Sequence, residues 1–257
     1  MKAIIIGATS GIGMETALLL HAEGWTVGLA GRRTERLDLL QAQLGERVYT
    51  RQIDVCSEEA PAALQALIRE MGDDIDLIFL SSGIGWQNAR LDKTTSDEQD
   101  VELLTVETNA LGFTRMITTA YRYFATRCAK CQSTDGHRPH GHIAAISSIA
   151  GTKGLGAAPA YSATKRFQNH YIQCLAQQAR MNGYDIRFTD IRPGFVATDL
   201  IAGSNFPLQL DAKRVARAIV RALLKKKRKV IIDWRYAILV NLWRCLPDRL
   251  WERMKVK

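Results

Sequence analysis

Short apolar runs alternate with helix-spaced apolar positions along most of this chain. Ala3 to Ile6 is an apolar, β-type run, and after a glycine-rich turn Met14 to His21 carries its apolar residues at helical spacing. The same unit recurs in Thr26 to Ala30 before Thr34 to Leu44, and in Val48 to Ile53 before Ala60 to Met71. The strand Leu77 to Leu80 follows, then one long helical stretch from about Ser96 through Arg127 and a strand His142 to Ile146. A helix Ala160 to Ala179, a strand Ile186 to Ile191, a basic helix Ala212 to Leu224 and a last strand Val230 to Ile232 complete the series. Parallel strands need crossovers, and helices laid over a sheet supply them. The alternation therefore predicts an α/β fold, a doubly wound parallel sheet wrapped by helices on both faces.

Composition adds bounds to that picture. A chain of 257 residues, 47% hydrophobic and 24% charged, buries a sizeable core as a single domain spanning 1–257 and needs no second one. Only four strongly apolar residues follow Lys2 before Gly7, too few for the core of a signal peptide, and Tyr236 to Val240 is broken by Asn241 and Arg244 before it could span a bilayer. The expected location is cytoplasmic. Cys56, Cys128, Cys131, Cys174 and Cys245 form an odd set in a chain too long to need stapling, and are read as reduced thiols.

The net charge of +9 is concentrated at one end, where residues 213–257 carry fifteen lysines and arginines against three acids. Leu224 to Val230 has the look of a nuclear-localisation run, yet it closes a helix, where cations suit the dipole. No nucleic-acid recognition motif accompanies the charge, so no nucleic-acid partner is expected.

Directly after the first strand, Gly7-Ala8-Thr9-Ser10-Gly11-Ile12-Gly13 places glycines where a chain turns tightly and admits a pyrophosphate to the amides opening a helix. That makes the sheet Rossmann-like, with Gly7, Thr9, Ser10, Gly11, Ile12 and Gly13 as candidate phosphate-binding residues. The second strand runs into Gly31-Arg32-Arg33, where an NAD-selective site would carry an acid for the ribose hydroxyls. Guanidinium groups match a 2′-phosphate instead, so Arg32 and Arg33 select NADP(H).

Tyr161 and Lys165 lie four residues apart, one turn of helix, on one face. A phenol of ordinary pKa about 10 is a poor acid–base near neutrality, and a neighbouring cation favours its ionised form. Upstream, Ser147-Ser148 closes a strand on the edge where open α/β sheets bind ligands.

Taken together, the glycine turn, Ser147 to Gly151, and Tyr161 with Lys165 resemble the short-chain dehydrogenase/reductase family, over residues 3 to about 200. The resemblance implies a catalytic set of Asn109, Ser148, Tyr161 and Lys165. It also implies cofactor contacts from Asp54 and Val55 to the adenine, from Ser82 and Gly83, from Tyr161 and Lys165, and from Pro193, Gly194, Val196 and Thr198 beside the nicotinamide. In the implied reaction NADPH gives hydride to a carbonyl carbon while Tyr161 protonates the oxygen held by Ser148. Lys165 would hold the nicotinamide ribose and Asn109 would align a water for proton return. Two departures stand out: Ile6 where a Thr often precedes the first glycine, and Leu80-Ser81-Ser82-Gly83 in place of Asn-Asn-Ala-Gly.

The expected function is NADP-dependent interconversion of a carbonyl with a secondary or primary alcohol. Residues 195–211, with Ile201, Phe206, Pro207 and Leu208, would form an apolar lid that favours a lipophilic small molecule. The resemblance further implies a homodimer or homotetramer through Glu102 to Arg127 and Ala160 to Ala179. A non-catalytic NADP sensor of the same fold is the alternative, although such proteins normally lose the Tyr or Lys. The basic aromatic tail, 234–257, suits weak contact with a membrane surface, which would make the protein a peripheral lipid-ketone reductase; it equally suits a helix over the cleft or a subunit contact. Cys128, Cys131, His137, His140 and His142 crowd one loop, but their spacing fits no standard zinc site, and no metal is expected.

Overall fold

The computed structural model describes all residues other than 94–99, 132–140, 199–207, 255 and 257, and the backbone alone of 93 and 131. In chain order the strands are β1 (Lys2–Ile6), β2 (Thr26–Gly31), β3 (Val48–Gln52), β4 (Leu77–Leu80), β5 (Gly141–Ile146), β6 (Ile186–Arg192), β7 (Val196–Ala197), β8 (Leu210–Asp211) and β9 (Lys229–Ile231). The helices are α1 (Gly11–Ala22), α2 (Thr34–Leu44), α3 (Ala60–Glu70), α4 (Val101–Val106), α5 (Phe113–Cys131), α6 (Pro159–Met181), α7 (Ala212–Leu224), α8 (Trp234–Cys245) and α9 (Asp248–Trp251).

Seven strands form one parallel sheet in the order β3-β2-β1-β4-β5-β6-β9, while β7 and β8 pair separately. Both faces are covered, which is why β1 and β4 read as unbroken apolar runs. Successive residues go to opposite sides. Ile4, Ile6, Ile78 and Leu80 pack under α3, α5 and α6 with Leu64, Met116 and Ile172. Ala3, Ile5, Leu77 and Phe79 meet Ala17 of α1, Leu37 of α2, Val215 of α7 and Tyr236 of α8. Each such Ile, Leu or Phe contributes about 1.5–3 kcal/mol by leaving water.

Chain order reverses between β1 and β4, so a crevice opens beyond their carboxyl ends. Every strand-end segment singled out in the sequence lies along that edge.

One expectation changes, and two open readings become definite. The stretch read as one helix to Arg127 starts, among the described residues, at Val101 behind the Asp100 cap, and a π-turn, Glu107–Gly112, separates α4 from α5. Such a turn widens the helix by one residue per turn without changing its composition, so spacing alone misses it. Part of the tail is a helix, α8, followed by the short α9; Asp233 caps α8 by accepting from the Arg235 amide. His142 lies in β5, as the strand reading has it, with its ring turned inward: Nε2 lies 2.8 Å from Thr189 Oγ1, and burial pushes its pKa down to about 4. That ring is committed to the sheet, while the side chain of Cys131 and residues His137 and His140 fall outside the described residues.

No described helix is long and apolar enough to cross a membrane. Of the expected lid, Ile201, Phe206 and Pro207 lie outside the described residues. Its base is described: β7 and β8 pair, and the Tyr236 hydroxyl accepts from the Phe195 amide at 3.2 Å and donates to the Leu208 carbonyl at 3.0 Å.

Candidate active site

The glycine turn sits between β1 and α1, against the loop after β4. Gly7 has φ +91°, and a Cβ there would lie 2.6 Å from the Ser82 amide nitrogen, so only glycine lets the turn press on that loop. α1 begins at Gly11, and its first amides face the crevice edge with no carbonyl partner of their own helix. Thr198, directly after β7, lies close to Gly11. The two loops thus approach each other across the mouth of the crevice.

Beyond β2, Arg33 Nε and Nη2 donate to Thr9 Oγ1 at 3.2 and 3.0 Å, and Nη2 also reaches Ser10 Oγ at 2.6 Å. Arg32 is exposed beside it. Arg36, not singled out in the sequence, donates from Nη1 to the Thr9 carbonyl at 3.3 Å. The signal for it was available: Arg36, in the first turn of α2, follows Arg32 and the N-cap Arg33 by one helical turn. At the end of β3, Asp54 is exposed and accepts from the Cys56 amide, while Val55 is buried.

The other half of the site gathers at the carboxyl ends of β4, β5 and β6. Ser147 and Ser148 diverge. Ser147 donates to Asp190 Oδ1 on β6 at 2.5 Å, and Asp190 is held in turn by Arg192 at 2.8 Å. Ser148 accepts from the Ala150 amide and hydrogen-bonds the Tyr161 side chain. The two serines therefore have different work, and Ser148 is the one that meets the phenol.

Pro159 opens α6, where a missing amide costs nothing, and puts Tyr161 and Lys165 one turn apart. Tyr161 lies against Gly85, where a Cβ would come 2.3 Å from its Cδ2. The backbone after β4 thus serves as the wall that fixes the ring. Lys165 is 4% exposed; its ammonium lies 5.6 Å from the Tyr161 ring centroid and donates to the Ile146 carbonyl at 3.2 Å and Gln168 Oε1 at 3.1 Å. Its remaining N–H has no protein acceptor among the described residues.

The electrostatics differ from the simple expectation of a phenol ionised by its cation. Burial pushes the Tyr161 phenol above its ordinary value, opposed by the Ser148 hydrogen bond. Burial pushes Lys165 down to about 8, opposed by the Asp190 carboxylate. The ammonium lies over the ring, so its help to the oxygen is weaker than the sequence spacing implies.

Asn109 sits fully buried in the π-turn. Its Nδ2 donates to the Ile84 carbonyl at 2.7 Å and to Thr164 Oγ1 at 3.3 Å, and its Oδ1 accepts from the Ile84 amide. It fastens the loop after β4 to α6. Pro193 and Gly194 lie in the loop after β6 and Val196 opens β7, while Ser82 and Gly83 lie in the loop after β4; a Cβ at Gly83 would lie 3.3 Å from both Asn109 Oδ1 and Lys165 Nζ. A depression of about 580 Å³ near Tyr121, Arg122, Gln178 and Asn182 holds none of these residues.

All four residues of the expected catalytic set thus border one crevice edge that also carries the glycine turn. A family model described as short chain dehydrogenase matches residues 1–206 of this chain. The chain belongs to that family.

This short-chain dehydrogenase is 31% identical to an uncharacterized oxidoreductase of Mycobacterium tuberculosis, over 98% of this chain and 96% of the relative. Its fold matches a short chain dehydrogenase/reductase from Burkholderia phymatum in complex with NAD at a TM-score of 0.80, with 19% identity, covering 100% of this chain and 96% of the other. A short chain dehydrogenase from Burkholderia cenocepacia in complex with NADP also scores 0.80, at 18% identity, covering 100% and 98%. The seven-stranded Rossmann-like sheet of this dehydrogenase is therefore common to relatives solved with either nucleotide.

Proposed function

We propose that this protein is an NADP(H)-dependent oxidoreductase that interconverts a carbonyl and a secondary or primary alcohol on a lipophilic substrate. The observation that carries the reading is the Tyr161 phenol beside Ser148, with the Lys165 ammonium 5.6 Å from its ring centroid, at the crevice edge beside the glycine turn.

The residues present fit a dinucleotide: a cradle closed to any Cβ at Gly7, open helix amides at α1, and a lysine N–H left over at the other end. When bound, the nicotinamide nucleotide supplies or accepts the hydride. Gly7 and Gly11 to Gly13 would hold its pyrophosphate with Thr9 and Ser10, Asp54 and Val55 its adenine end, Lys165 its nicotinamide ribose, and Ser82, Gly83, Pro193, Gly194, Val196 and Thr198 its remaining length. Arg33, already turned onto the Thr9 and Ser10 hydroxyls, with Arg32 and Arg36, favours a 2′-phosphate.

In the direction of reduction, the high proton affinity that burial gives Tyr161 keeps the phenol protonated as the acid. Ser148 holds the substrate oxygen beside it, and Tyr161 transfers its proton to that oxygen as the alcohol forms. Lys165, charged below about pH 8, stabilises the phenolate left behind. Asn109 holds the loop and α6 in register. Exposed Leu103, Val106, Leu111 and Phe167 support pairing of two copies through α4 and α6.

The test is consumption of NADPH and NADH by the purified protein over aldehydes and ketones of graded chain length. NADPH should be preferred, and rates should rise with apolar length. Arg33→Ala should lower kcat/KM for NADPH by roughly ten- to a hundredfold, the worth of a charge-assisted hydrogen bond, and leave NADH nearly unchanged. Equal losses with both nucleotides would overturn the NADP assignment.

A second reading, a cytoplasmic enzyme that works on lipid ketones at a membrane surface, has one observation in its favour. Trp234, Ile238 and Leu242 are exposed at four-residue spacing along α8, flanked by Arg235, Arg244, Arg249 and Arg253. An apolar stripe with a basic border fits an anionic bilayer. Vesicles of anionic lipid should sediment the protein at low salt and release it at high salt; no sedimentation at low salt would remove this reading.

A further inference from the structure

Tyr161, Lys165 and Gln168 follow one another at i, i+4 and i+7, the spacing of a single helix face. The third position of such a face ordinarily carries an apolar residue into the core, and here it carries an amide that is 0% exposed. Both ends of that amide are used. Gln168 Nε2 donates to the Asn109 backbone carbonyl at 2.8 Å, and Gln168 Oε1 accepts from Lys165 Nζ at 3.1 Å. The orientation is fixed by its partners, because an ammonium only donates and a carbonyl only accepts. A buried amide left half-paired is destabilising, so the π-turn and the lysine each hold it in place for the other.

We propose that Gln168 is a positioning residue of this site: pinned to the Asn109 carbonyl, it presents a fixed acceptor that holds the Lys165 ammonium beside Tyr161. The inference deepens the reading of Lys165 as the cation of the site and rests on it. It also gives the π-turn a purpose in the site beyond the Asn109 side chain. Asn109's carbonyl anchors the amide, the amide anchors the ammonium, and the ammonium lies over the phenol ring.

The groups facing Lys165 are few. From its own helix there are Tyr161 and Gln168, from β5 the Ile146 carbonyl, and from β6 Asp190, which shares its charge with Ser147 and Arg192. The one charged residue of the π-turn, Glu107, is exposed, and from that turn only Asn109 approaches the lysine. Removing the Gln168 acceptor withdraws support from the charged amine, while a carboxylate at the same place adds to it.

The experiment follows the Lys165 methylene resonance in protein labelled with [¹³Cε]lysine, free of nucleotide, across pH 6 to 11. Lys165→Met assigns the signal. The wild-type midpoint near 8 should fall by about one unit in Gln168→Leu and rise by about one unit in Gln168→Glu. The alkaline limb of kcat/KM for carbonyl reduction should move in the same two directions. Coincident midpoints in all three proteins would overturn the proposal, and if the Leu variant does not fold, the Glu variant against wild type decides alone. The resonance needs no turnover, so a protein inactive on every carbonyl would defeat the proposed function and leave this test intact.

Discussion

Tyr161→Phe is expected to lower kcat for carbonyl reduction by roughly 10²–10⁴-fold, the usual worth of a positioned proton donor. The affinity for NADPH should stay within a factor of about two, since uniform binding is untouched. The substitution removes one oxygen and little else. The ring still rests on Gly85, and the Ser148 hydroxyl still accepts from the Ala150 amide, so the strand end keeps its shape. Steady-state rates with fluorescence titration of the nucleotide separate the two quantities. A variant within tenfold of wild type would remove Tyr161 as the donor. A wild-type protein that binds NADPH and turns over no carbonyl would instead point to the nucleotide-sensing alternative.

Lys165→Met should cost roughly 10²–10³-fold in kcat/KM, comparable to losing one preorganised donor to a developing anion. Its pH dependence is the sharper sign. Wild-type reduction should fall as pH rises through about 8, because Lys165 then loses the proton that stabilises the phenolate. The Met variant should lack that limb. Stability runs the other way. Between about pH 8 and the ordinary lysine range the unfolded chain holds a proton that the folded chain has released, so this group's contribution to stability rises with pH through that window. At neutral pH the Met variant should melt no lower than wild type, because it buries no charge. A lower melting temperature there would contradict the assigned cause, burial, and a surviving limb would put the titration on another group.

The elements most legible in the sequence are those whose physics is local. α2 runs from Thr34 to Leu44 as its periodicity predicts, and β4 from Leu77 to Leu80 as its apolar run predicts. The glycine turn and the Tyr161–Lys165 spacing were also readable, because tight turns and helix faces are properties of neighbours in the chain. Failures came where distant residues decide. The π-turn at Asn109 is stabilised by Gln168, 59 positions away, and a pattern of helical spacing carries no trace of it. For α8 a helix was only one of several readings of the tail, since Tyr236 and Val240 are buried on one side while Trp234, Ile238 and Leu242 are exposed on the other. Apolar residues on two faces blur the single stripe that marks a surface helix. The proton affinity of Tyr161 was misjudged for a related reason: spacing gives the cation's presence, while its position over the ring and the burial of the phenol belong to the packed state.

Tyr236 has a mechanical consequence. One buried hydroxyl binds Phe195 and Leu208, residues that lie next to β7 and β8. Both are hitched to the same post on α8, so they travel with that helix as a pair. The outer side of the same helix carries Trp234, Ile238 and Leu242. A shift of that helix is therefore carried by the Tyr236 hydroxyl into the β7–β8 pair, whose two strands are also joined to each other by the Leu210 amide donating to the Phe195 carbonyl.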